Sequence, residues 1–160
     1  MRWVLFFSLV GCGRESPQIT STITLHQGLR ASDIKAYRVS VIAPVDKKGV
    51  HLTHSNGTAL SCADFLDDQL PADTLVLYTD GTFMLDPNDA STRTHDLKVP
   101  PGAGDWVLGE AFASTASNAA TVARACTNNV SIKSGQATAV PLDFYPCTAG
   151  PVDNPGLTCQ

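Results

Sequence analysis

The chain announces itself through alternation. In ITSTITL, Ile19, Ser21, Ile23 and Leu25 share one face, and Thr20, Thr22, Thr24 and His26 share the other. Successive side chains of a strand point to opposite faces, so a period of two predicts a half-buried strand. KAYRVSVIA repeats the pattern, with Tyr37, Val39 and Val41 inward and Arg38 and Ser40 outward, and stops at Pro44 and the DKKG turn. Asn56-Gly57 predicts a further turn. SCADFLDDQL breaks the alternation and predicts a short helical turn. Ser61 caps it, Asp64 stands three residues on, and Phe65, Leu66 and Leu70 face the core.

The second half continues in the same manner. TLVLYTDGTFML predicts two short strands around Asp80-Gly81, and DPNDASTR predicts a loop. HDLKV alternates until Pro100-Pro101. GDWVLGEAFAS is apolar on both faces, which predicts a central strand. TVARACTNNVSIKSGQATAVPLDFY holds three strand-like runs, with turns expected at Asn128-Asn129 and Ser134-Gly135. Val130 and Ile132 form one inward face, and Val140, Leu142 and Phe144 another.

Strands at roughly ten-residue spacing, with turn residues between them, predict an all-β fold. The expected form is an antiparallel β-sandwich of about seven or eight strands with at most one short helix. It should occupy residues 19–146 as one domain, a size that 160 residues suits. No βαβ alternation or glycine-rich dinucleotide fingerprint interrupts the pattern. The stretch LKVPPGAGDWVLGEAFAS, with SIKSGQATAVPLDF further on, resembles the closing strands of immunoglobulin-like, carboxypeptidase-regulatory-like or transthyretin-like domains. There Gly135-Gln136 leads into Val140 and Leu142. That resemblance covers about a third of the chain and implies a sandwich, not an activity.

Composition sharpens this reading in one respect. Charged residues make up 16% of the chain, against about 25% ordinarily. The net charge is −4, and no basic cluster exceeds Lys47-Lys48. Nucleic-acid binding needs a positive surface, so it is not expected.

The first residues break the alternation altogether. MRWVLFFSLV has one positive charge at Arg2 and then an apolar run from residue 3 to 10. That is the form of a targeting segment, and it is too short for a bilayer span of about 20 residues. Leu9-Val10-Gly11-Cys12 resembles the lipobox of bacterial lipoproteins. The resemblance implies a signal peptide over residues 1–11, a diacylglyceryl group on the Cys12 thiol, cleavage just before Cys12, and a tether over residues 12–18. Gly13 in the following position implies an outer-membrane destination in the cell envelope. One acyl chain holds only marginally, whereas two or three on one residue anchor durably. Cleavage after Gly13, releasing a soluble module, is the competing expectation.

Five cysteines, at positions 12, 62, 126, 147 and 159, are an odd number for an exported chain. Lipidating Cys12 leaves four. Of the three possible pairings, Cys62 with Cys126 and Cys147 with Cys159 is favoured, because the second bridge would order the Pro- and Gly-rich tail 148–158. Without a CxxC, zinc is not expected at these thiols.

Other candidate chemistry is weaker. His51 and His54 form HxxH, but on a strand or loop that spacing sends the rings apart. Asp86 and Asn88 fit the first two positions of a calcium loop and Ala90 fails the third. Asp67-Asp68 and Asp105 with Glu110 are permissive carboxylate pairs. Trp106 is either a packed side chain or an exposed platform for a sugar. No GxSxG or SxxK is present. The expectation is a non-enzymatic, lipid-anchored envelope protein. It would use no cofactor or metal, and its β domain would meet a protein or a glycan. A small secreted hydrolase and a soluble ligand-binding module are the alternatives.

Overall fold

A computed structural model of the chain describes residues 17–67, 70–79 and 81–147. The predicted targeting segment, Cys12 and Cys159 lie outside the described residues. The fold is β-rich with almost no helix. In chain order the strands are β1 (Gln18–Leu25), β2 (Ala36–Asp46), β3 (Thr74–Thr79), β4 (Phe83–Met84), β5 (Thr94–Lys98), β6 (Gly102–Phe112), β7 (Thr121–Ile132) and β8 (Ala137–Pro146). One turn of helix, α1 (Asp64–Asp67), follows Ser61, whose backbone N–H and hydroxyl both donate to the Asp64 carboxylate.

The strands join in the order β3-β2-β6-β7-β8-β1-β5, with β4 also on β2. β6 is central, between β2 and β7. The expected antiparallel sandwich needs correction, because the sheet is single and mixed. β1 and β8 run parallel from Gln18 opposite Ala137 to Leu25 opposite Phe144. Parallel neighbours require a long crossover; here everything from β2 to β7 supplies it. The β7–β8 hairpin is paired only at Ala123–Pro146 and Arg124–Tyr145. β8 therefore leans onto β1, and the sheet curls into a half-barrel.

The inward positions read from the alternation fill the hollow of that curl. Ile19, Tyr37, Val39, Val41, Val140, Leu142 and Phe144 are almost wholly buried in one cluster with Val107, Val130 and Ile132. Phe144 lies close over Gly109, where an added Cβ would lie 2.5 Å from the ring.

One turn expected from sequence takes another form. β7 runs straight through Asn128-Asn129, with Asn129 in the left-handed region at φ 52°. The register with β6 shifts there, so the pair forms a bulge rather than a turn. β3 and β4 do not pair with each other; both run antiparallel to the same strand, β2. Ser134-Gly135 does turn the chain, with Gly135 at φ 74°.

Candidate functional site

The outer face of the sheet carries a second, smaller cluster of Ile42, Cys62, Phe65, Trp106 and Leu108, with Leu60, Leu70 and Cys126 packed against it. Phe65 and Leu70 thus pack into a core as expected, and it is this smaller one on the outer face. Trp106 is 7% exposed, so it packs here and offers no platform to a sugar. The segment bearing α1 is fastened to the sheet by a disulfide between Cys62 and Cys126, whose Cα atoms are 5.7 Å apart. Cys147 is buried and is not a free thiol.

Between α1 and the strands lies a cleft of about 350 Å³. Phe65, Leu70, Ile42, Leu108 and Val76 provide its apolar walls, and Ser40, Glu110, Thr121 and Arg124 its polar groups. Sheet register sets the charges. Arg38, Glu110 and Arg124 stand side by side on β2, β6 and β7. Arg38 Nε donates to Glu110 Oε2 at 3.1 Å, and its guanidinium lies 5.5 Å from the centre of the Phe112 ring. Arg124 is 3% exposed, lies 5.2 Å from the centre of the Phe65 ring, and donates to the Phe65 carbonyl at 3.4 Å. Cation–π and hydrogen-bond contacts of this kind hold the helical turn over the strand. On the far side of Arg38, the 113–120 loop borders a smaller hollow of about 280 Å³.

Such a site can hold a ligand or a side chain with an apolar body and a hydrogen-bonding end. The remaining sequence candidates do not converge on it. His51 and His54 are exposed; His54 Nε2 lies 3.3 Å from Asp64 Oδ2. The Asp64 carboxyl is held below its ordinary range by the Ser61 backbone and hydroxyl bonds first, and by His54 after them. The Ser61 hydroxyl donates to the Asp64 carboxylate that His54 also meets, which is not the serine–histidine–acid order of a nucleophilic relay. Asp86 and Asp89 accept bonds from their own loop, at Asn88 and Ser91. Asp105 and Glu110 occupy odd and even positions of β6, and thus opposite faces. Among the described residues no three metal-ligating side chains gather. Asp68 lies outside the described residues.

Sequence reasoning passed over Arg124 and Arg38. The available signal was a charged residue inside an apolar run, VARAC, where a buried strand has no reason to carry one without partners.

Asp105 is a separate finding. It is 4% exposed, sits between register shifts on both sides, and its Oδ2 has no hydrogen-bond partner. Burial pushes its carboxyl above the ordinary range. The folded state therefore holds this proton more tightly than the unfolded chain does. Its contribution is full below the ordinary carboxyl range and is lost as pH rises through the raised value. Asp105→Asn is expected to remove that loss, so that the variant gains stability at neutral pH relative to acid when set against the parent. Urea unfolding of parent and variant at several pH values checks this; parallel stability curves would refute it. The difference between the two proteins isolates Asp105 from Asp33, Asp46, Asp64 and Asp89, whose lowered values act in the opposite sense.

No family model matches the chain, and neither a curated protein nor a solved structure matches it.

Proposed function

We propose that this chain is a lipid-anchored cell-envelope protein whose β domain acts by contact, with the outer cleft as the contact site. The observation that carries the contact reading is the construction of the cleft itself. A disulfide, a cation–π pair and a buried arginine fasten one wall to the sheet. The charged side chains around it are held in place by each other and by neighbouring rings and backbone, which presents a partner with a preformed surface. The lipid anchor rests on the lipobox-like residues ending at Cys12 and on the odd cysteine count. A protein or a glycan of the envelope is the partner class that suits a tethered domain. Outer-membrane residence is proposed from Gly13 at the position after Cys12.

Cys12→Ser is expected to abolish incorporation of labelled palmitate and to move the protein from the membrane fraction to the soluble fraction. The label and fractionation check it together. Labelling that persists in the variant would overturn the anchor. Phe65→Ala, which strips the cleft wall, tests the contact reading separately through loss of envelope cross-links in cells.

A further inference from the structure

We propose that the outer cleft and the hollow beside it form one site for a neutral glycolipid, with the lipid chain in the cleft and the sugar in the hollow. This rests on the cleft being the contact site and adds the class of molecule that it contacts. The two spaces adjoin. The Arg38–Glu110 pair stands between them, with Glu110 lining the cleft and Arg38 the hollow, and Thr121 lines both. Their characters differ. Apolar side chains from α1, β2, β3 and β6 wall the cleft. Thr82, Ser114, Thr115, Ser117 and Thr121 bring hydroxyls to the hollow. An apolar space joined to a hydroxyl-rich one matches a molecule divided in the same way, and the two together offer the room of an ordinary small-molecule site, about 300–1,000 Å³.

The polar groups of the hollow select a neutral head. Arg38 Nε and Nη2 both donate to Glu110 Oε2, so its charge is already met within the protein, and Nη1 is left as a donor. No other lysine or arginine lines the hollow, so an anion would find little net charge to balance it. Hydroxyls both donate and accept, as the hydroxyls of a sugar do. Ser114 accepts from the Ala116 N–H at 3.4 Å, and the hydroxyls of Thr82, Thr115, Ser117 and Thr121 have no hydrogen-bond partner among the described residues. The loop that carries most of them is closed on itself. Ala113 N–H donates to the Ala120 carbonyl at 3.3 Å, and Ala119 N–H to the Ala116 carbonyl at 3.0 Å. These groups are therefore placed before a ligand arrives, which lowers the cost of ordering them. A sugar alone would exchange hydrogen bonds with water for little net gain. The chain in the cleft supplies the apolar burial that the head lacks.

Amide NMR of the full chain carrying Cys12→Ser, titrated with octyl glucoside below its micelle concentration, tests the site. Saturable shifts are expected both in α1 and across 114–121. Octan-1-ol should shift the cleft alone and bind about tenfold more weakly, because only one of two linked contacts remains. Ala116→Phe fills the hollow from an exposed loop position. It should lower octyl glucoside to the level of octan-1-ol and leave the far-UV circular dichroism unchanged. Octyl glucoside that binds no tighter than octan-1-ol overturns the sugar subsite while the contact reading of the cleft stands. Octyl sulfate that binds more tightly than octyl glucoside overturns the neutral head. If no octyl compound shifts the cleft, the lipid is overturned, and the loss or survival of envelope cross-links in Phe65→Ala then decides the contact reading by itself.

Discussion

Gly109→Val is expected to destabilise the domain by about 3 kcal/mol, near the upper end of the usual range for overpacked cores. Gly109 lies on the inner face of the central strand, and Phe144 from β8 rests directly on it. A Cβ would meet the ring at 2.5 Å, and the ring has no room to retreat because Phe144 is wholly buried. The contact joins the two arms of the curl, so the strain would fall on the closure of the half-barrel. Phe144→Leu alone leaves a void and should also cost stability, but the pair together should cost less than the sum of the two. Urea unfolding of both single variants and the double variant measures that coupling. Additive losses would mean that the ring and the glycine do not determine each other.

The second large effect is expected from the disulfide. Cys62 and Cys126 are separated by 64 residues in sequence. Closing a loop of that length restricts the unfolded chain by about 4 kcal/mol, within the 2–5 kcal/mol usually lost when a native bridge is removed. Domains are stable by only about 5–15 kcal/mol in total, so the paired Cys62→Ala and Cys126→Ala variant should unfold at much lower denaturant. The loss should not be uniform. The main core lies on the other face of the sheet and contains neither cysteine, whereas Phe65 and Leu70 depend on the fastened segment. Hydrogen exchange should therefore rise first around α1, while β1, β6 and β8 remain protected. Equal exchange in both regions, with an unchanged unfolding midpoint, would show that the bridge adds nothing to the fold.

Much of the strand content was legible because alternation is a local property. Ile19, Ser21 and Ile23, then Tyr37, Val39 and Val41, then Val140, Leu142 and Phe144 all occupy the buried face that their spacing predicted. The doubly apolar run of β6 lies at a central position, covered on one face by the main core and on the other by the cluster around Trp106. Asn128-Asn129 misled because the residues that favour a turn also favour a left-handed bulge, and only the partner strand decides between them. Two short strands do flank Asp80-Gly81 as expected, but a break in the pattern does not say whether the second folds back on the first or continues along the same neighbour.

By itself, the sequence determined that the chain is β-rich, which side of each main strand is buried, and that one short helical turn interrupts the strands. Those features depend on neighbours two to four residues apart. The tertiary structure decided that β1 and β8 run parallel, that one mixed sheet curls on itself, and that Arg38, Glu110 and Arg124 stand in one row above a cleft. Alternation is identical for a strand with a parallel or an antiparallel partner, and it carries no record of which strand lies beside which. Strand order and register are settled by packing the whole chain at once, and the cleft exists only after they are settled.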